Sequence, residues 1–299
     1  MTISPKARQN YPNNIYRKVT IFMKTHCLIK PKFIIITLLI ITGCTLDSVE
    51  NPAQHITSTT GPSPTLSQQP IQADSQWQTL APGLELRHYI PDGNKLSQIT
   101  ALRIDPTLYA FRVHYRPGEA LNFRQWNDEL PGALAFINGN FFDANDFIVA
   151  MLVADGVVYG QSYRGFGGTF IVENDIPRIR SNVLEPYDGS YLQQAVQAFP
   201  MLVLNGEQAY FDDTQERITR RTVIGQDVQG RIIIMATPGM GMTLAETSAY
   251  LVSTDMELVN ALNLDGGGST MMVINTPGSN SYSIMSFDPV PAVLAVYLR

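Results

Sequence analysis

The residues best suited to chemistry lie in one stretch, Asn263-Leu264-Asp265-Gly266-Gly267-Gly268-Ser269-Thr270. It combines one carboxylate, three consecutive glycines and two hydroxyls, with apolar runs on both sides. Two explanations fit the pattern. Glycines accept positive φ, so the stretch suits a tight hairpin turn. It equally suits an acid presented at a strand end, over a loop whose backbone N–H groups face a ligand. Nucleotide loops are excluded by what surrounds it. No Lys follows as in a P-loop, the Gly-x-Gly-x-x-Gly spacing is absent, and the next segment reads as a strand, not a helix.

The remaining inventory narrows the chemistry. His88 and His114 are the two histidines of the region from Ser75 onward, and neither lies in a dense motif, which disfavours a His/Cys zinc site. There is no Gly-x-Ser-x-Gly elbow and no cysteine nucleophile. Carboxylates, amides, hydroxyls and arginines remain. Carboxylates serve glycosyl transfer to water, and arginine clamps phosphate or carboxylate. A second dense block, Asn138-Gly139-Asn140-Phe141-Phe142-Asp143, follows the apolar run that ends at Ile137. It reads as a turn whose two amides and one acid suit the holding of hydroxyl groups.

Positioning these blocks falls to a strand-rich chain. Residues 33–42 are an apolar run too short for a permanent membrane span, preceded by Lys24, Lys30 and Lys32 and followed by Gly43-Cys44. Ile41-Thr42-Gly43-Cys44 resembles a bacterial lipobox, which implies cleavage before Cys44 and its lipidation. Met23 gives a more ordinary signal length than Met1. Residues 1–43 are therefore expected to be a signal segment, residues 44–74 a lipidated, Ser/Thr/Pro/Gln-rich tether, and residues 75–299 the folded domain. Thr45 after Cys44 points to the outer membrane, facing the periplasm. Seven of the 21 basic residues precede Cys44 and none of the 26 acidic ones does, leaving 14 − 26 = −12 for the mature chain. That charge argues against nucleic-acid partners. No disulfide pair remains, so a core of about 225 residues must carry stability.

Alternation predicts strands over residues 83–88, 98–104 and 109–115, a short helix over 122–129 capped by Asn122, and a hairpin over 148–159 turning at Asp155-Gly156. Residues 165–172 read as a strand and 174–187 as loop. Residues 196–204 follow, with a turn at Asn205-Gly206; Arg220-Arg221-Thr222 leads into 223–225, a turn lies over 227–230, and 231–236 is a strongly β run. Thr243-Leu244-Ala245-Glu246 has the form of a capping box opening a helix, followed by strands near 258–264, 271–274 and 293–298. Many strands with few helices and no repeat predict a single mixed, layered α+β domain.

Six motifs then occur in an order that resembles the phosphodiester glycosidase family, whose members include the domain of the lysosomal uncovering enzyme. They begin at Ala135, Asp155, Pro200, Arg221, Gly241 and Asn263, and the last contains Asp-Gly-Gly-Gly-Ser-Thr. The resemblance covers roughly residues 133–298. It implies an envelope hydrolase that removes a sugar from a phosphodiester. In that frame Asp265 is the catalytic carboxylate or orients the sugar, and Gly266, Gly267 and Gly268 give close backbone approach. Ser269 and Thr270 add hydroxyls, and Arg221 holds phosphate while Arg220 is exposed. Asn138 and Asn140 hold sugar hydroxyls; Asn140 stands where many relatives have Gly. Glu246 is a substrate-binding candidate, with its capping role the stronger reading. Asp143 and Asp227 are candidate second carboxylates or cation ligands; no cofactor is required, and a cation such as calcium lacks a clear ligand cluster. Because a phosphate monoester has a second pKa near 6, the leaving group departs without full protonation. The competing readings are a non-catalytic glycan-binding lipoprotein and a metal-dependent phosphodiesterase.

Overall fold

In the computed structural model, the described residues are 76–212, 214, 217–276 and 281–299. They fall within one compact unit, Ala73–Arg299. Cys44, the signal segment and the tether lie outside them.

The strands follow in chain order as β1 (Gln78–Ala81), β2 (Leu84–Tyr89), β3 (Ile99–Ile104), β4 (Tyr109–Tyr115), β5 (Ala135–Asn138), β6 (Leu152–Ala154), β7 (Val157–Tyr159), β8 (Gly168–Glu173) and β9 (Ile176–Ser181). They continue as β10 (Gln194–Ala198), β11 (Met201–Leu204), β12 (Glu207–Gln208), β13 (Thr222–Asp227), β14 (Ile232–Ala236), β15 (Leu258–Asn263), β16 (Met272–Ile274), β17 (Tyr282–Ile284) and β18 (Ala292–Leu298). Two α-helices accompany them among the described residues, α1 (Phe123–Glu129) and α2 (Leu244–Ser253). The α+β class is therefore observed, and every strand pairing is antiparallel, as in β13 with β14 and β15 or β18 with β4 and β5.

The strands form three sheets. The first runs β1-β2-β3-β14-β13-β15-β11-β12, the second β7-β6-β10-β8-β9, and the third β17-β16-β5-β18-β4. Central strands are buried on both faces, which is why β5 (Ala-Phe-Ile-Asn) and β14 (Ile-Ile-Ile-Met-Ala) read as unbroken runs. Helix α2 lays Leu251 against Leu202, Val203, Met235 and Met256 in the core beside the first sheet. Helix α1 buries Trp126 against the third, where its indole N–H donates to the Val290 carbonyl at 2.9 Å.

Local turn chemistry behaves as its residue types require. Asp155 and Gly156 take φ of 48° and 81°, and Asn205 and Gly206 take 53° and 80°. Thr243 and Glu246 close their capping box, with Thr243 N–H donating to the Glu246 carboxylate at 2.8 Å. Two expectations fail. Residues 174–187 are not all loop, because Asn174 and Asp175, both at positive φ, turn the chain into β9. The Pro177 that suggested loop opens no gap, since this strand lies at the edge of its sheet. Asn138-Gly139-Asn140 is not a turn. Asn138 ends β5 and faces Val293, and Gly139 N–H continues the ladder to Ala292 at 3.0 Å.

Candidate functional site

The glycine stretch is not a hairpin. It leaves β15 in the first sheet and enters β16 in the third, crossing between layers. Its three glycines answer three different demands. A Cβ on Gly266 would meet the Arg220 carbonyl at 2.8 Å, Gly267 takes φ +63°, and a Cβ on Gly268 would fall within the Asp288 carboxylate. The bare N–H row expected from sequence is absent at four positions. Gly266 N–H donates to the Asp265 carboxylate (2.9 Å), Gly267 to the Arg220 carbonyl (2.8 Å), Ser269 to Gly266 (3.2 Å) and Thr270 to Gly267 (3.4 Å).

Asp265 lies half-buried at the head of this loop. Burial penalises its charged form and pushes its carboxyl up to about 7, hydrogen bonds from the Ser269 side chain and Gly266 N–H pull it down, and the charge of Asp288 raises it further. A carboxyl near 7 is poised to exchange a proton at neutral pH. Asp288 escaped the sequence reading. Its strap, Ser286-Phe287-Asp288, is pinned over the loop by two N–H bonds to the Gly268 carbonyl, at 2.7 Å from Phe287 and 3.0 Å from Asp288. A carboxylate two residues before a strand-breaking Val-Pro carries no periodic signal; only the adjacent glycine hinted at a close neighbour.

Asn138 holds this loop in place instead of facing outward. Fully buried, it donates from Nδ2 to the Asp265 carbonyl at 2.7 Å, and its Oδ1 accepts from the Thr222 hydroxyl (2.8 Å) and Met271 N–H (3.0 Å). It thus joins the first and third sheets beneath the acid. The expectation that it holds a sugar hydroxyl is corrected: its amide is engaged with the protein. Asn140 is buried too, donating to the Met151 carbonyl (3.0 Å) and the Gln197 carbonyl (2.9 Å), while its Oδ1 has no partner among the described residues. Ser269 and Thr270 are buried rather than displayed.

The two arginines depart from their expected places. Arg220, read as exposed, is 6% accessible and runs beside the loop, donating from Nη2 to the carbonyls of Thr270 and Met285, both at 2.9 Å. Arg221 is buried as well, and its guanidinium turns to the carbonyls of Met242 (2.8 Å) and Arg217 (3.0 Å). Neighbouring side chains along an extended chain point to opposite sides, so one of the pair must leave the loop.

Glu246 is exposed and engaged in its capping box, as the stronger reading held. Asp143 and Asp227 do not join the site. Asp143 accepts the N–H groups of Asn145 and Phe147 in its own loop. Asp227 sits at the opposite end of β13 from Thr222, pairs with Arg231 Nε at 2.7 Å and accepts Gln229 and Arg231 N–H. Both acids satisfy local turns. Among the described residues no group of three or more acidic, His or Cys side chains is arranged to hold a metal ion.

Comparison with known proteins follows this geometry. A family model described as Phosphodiester glycosidase matches residues 131–297, more than half of the chain and all of the loop, clamp and arginine pair. N-acetylglucosamine-1-phosphodiester alpha-N-acetylglucosaminidase of Homo sapiens is 38% identical over 77 residues, which are 21% of this chain and 15% of that protein. The Bos taurus enzyme of the same name is 39% identical over 62 residues, 19% of this chain and 11% of its own length. The matched stretches are thus a small share of both relatives. The zebrafish catalytic domain of that name, described as auto-inhibited by its pro-peptide, superposes with a TM-score of 0.53 at 20% identity. It covers 76% of this chain and 87% of that chain, and it shares the fold.

Proposed function

The chain belongs to the phosphodiester glycosidase family, and from that premise we propose that it hydrolyses a sugar-1-phosphodiester at the sugar C–O bond. The observation that carries this reading is Asp265, a half-buried carboxyl pushed up to about 7 at the head of the family's glycine loop. In its ionised form Asp265 accepts a proton from water as the water oxygen attacks the anomeric carbon. The C–O bond breaks, and its electron pair leaves with the phosphate monoester. That leaving group has a second pKa near 6, so it needs little protonation, and one well-placed carboxylate suffices where ordinary glycosides require two. Burial keeps the proton affinity of Asp265 high, and the charge of Asp288 adds to it. Asn138 is a positioning residue, fixing the Asp265 backbone.

The lipobox-like Ile41-Thr42-Gly43-Cys44 supports a lipid-anchored envelope protein, and the net −12 of the chain beyond it supports an extracytoplasmic glycan substrate over nucleic acid. The test offers the full chain a panel of sugar-1-phosphodiesters in ¹⁸O-labelled water. Release of sugar carrying the label supports C–O cleavage; label in the phosphate product would refute it. If no sugar is released from any donor while a glycan phosphodiester is retained, the protein is a binding module instead.

A further inference from the structure

We propose that Arg220, Thr270 and Ser286 form the pocket that receives the phosphoryl group, and that Phe287 covers it. This assignment rests on the hydrolase reading above and specifies its anion subsite.

Arg220 Nη1, Thr270 Oγ1 and Ser286 Oγ are all shielded from solvent and have no hydrogen-bond partner among the described residues. The three residues are neighbours through the same guanidinium. Its Nη2 donates to the carbonyl of Thr270 and to that of Met285, the residue preceding Ser286. Its Nε makes a longer bond to the Thr237 carbonyl at 3.3 Å. Every protein acceptor on this guanidinium is a neutral carbonyl. Other arginines pair with carboxylates, as Arg231 does with Asp227 and Arg103 with Glu85; no ion pair joins Arg220 to an acid among the described residues.

A buried guanidinium cannot shed its proton to escape this situation. Desolvation acts against its charge. An uncompensated buried charge is costly, so this arrangement gains most when an anion completes it. The anion must accept several hydrogen bonds at once, from the N–H groups of Arg220 Nη1 and from two hydroxyls, which is a demand the oxygens of a phosphoryl group meet. A buried water would satisfy the hydroxyls but leave the cation uncompensated.

The pocket also lies where the chemistry requires it. The Arg220 carbonyl receives Gly267 N–H and abuts Gly266, so its backbone is fastened to the loop that begins at Asp265 and ends at Thr270. The acid stands at one end of the loop and the cation braces the other. Phe287 is 78% exposed, unusual for so large an apolar ring, and it lies over the guanidinium at 4.6 Å. Its backbone is pinned to Gly268, leaving the ring to swing aside and admit the anion. Asp288 opposes any anion here, so free phosphate should bind weakly, while a substrate adds its sugar contacts.

The test measures binding of inorganic phosphate to the full-length chain by ³¹P NMR titration. Wild type should bind saturably. Arg220→Lys keeps the charge and loses the Nη1 donor, and should bind roughly tenfold to a hundredfold more weakly, the loss of one charge-assisted hydrogen bond. Thr270→Val and Ser286→Ala should each weaken binding severalfold, and they carry the test if Arg220→Lys does not fold. Asp265→Asn should retain phosphate affinity while losing turnover. Absence of saturable binding to wild type would overturn the pocket, as would unchanged affinity in Thr270→Val and Ser286→Ala. Sugar release without phosphate binding would remove the pocket and leave the hydrolase. Phosphate binding without sugar release from any donor would keep the pocket and remove the hydrolase.

Discussion

Asp265→Asn should make the protein more stable in alkaline solution and inactive everywhere. The carboxyl is raised from 3.8 to about 7 in the folded protein, so between those values the folded state holds a proton that the unfolded chain has lost. Stability from this group is therefore lost as pH rises from about 4, and the full penalty is present above about 7. Raising the carboxyl from 3.8 to about 7 corresponds to about 4 kcal/mol, and partial exposure with its solvent screening reduces this to about 2–3 kcal/mol. Asparagine has the same shape and no charge to bury, and its carbonyl still accepts Gly266 N–H. For a domain of this size, each kcal/mol moves the melting temperature by about 2–4 °C, so the variant should melt roughly 5–10 °C above wild type at pH 8. At pH 4, where both side chains are neutral, the gap should close. Thermal melts of the two proteins across this pH range provide the assay, with sugar release measured on the same samples. A variant less stable than wild type at pH 8, or a gap that does not change with pH, would refute the claim that Asp265 is held near neutrality by burial.

Three further outcomes follow from the geometry. Asp288→Asn removes a negative neighbour, so Asp265 should ionise more readily and the limb of the pH profile of kcat/KM that it controls should move to lower pH; an unmoved limb would separate the two acids. Gly268→Ala should cost about 1–3 kcal/mol by urea denaturation, because its Cβ meets the Asp288 carboxylate, and Gly268→Ala in an Asp288→Ala background should recover most of that loss. Asn138→Ala removes three buried hydrogen bonds and should cost about 3 kcal/mol or more, also by urea denaturation; a cost near zero would mean the clamp does not hold the loop.

Much of the scaffold could be read from the chain alone, because its signals are local. Asp155-Gly156 and Asn205-Gly206 turn where they do since these residues tolerate positive φ, whatever surrounds them. Thr243 and Glu246 satisfy each other's backbone within one helical turn. Period-two alternation marked β4 to the residue. The acid and its glycines were likewise visible as a motif, and so was the family that carries it.

What the tertiary structure decided was direction and partnership. Arg220 and Arg221 are adjacent and chemically identical, and only the packing of the Thr219–Arg221 segment beneath Gly266 and Gly267 determines which guanidinium runs along the loop. Asn138, Asp143 and Asp227 each look like a site residue in isolation. Their hydrogen bonds go to backbone groups, to the Thr222 hydroxyl or to Arg231, because buried polar groups must be satisfied by whatever the fold brings near. Asp288 lies more than twenty residues beyond Asp265 and joins it through the crossing from one sheet to another. Residue type sets which chemistry is available to this chain. Long-range packing decides which copies of each type are left free to perform it, because burial and partner choice depend on contacts that local sequence does not encode.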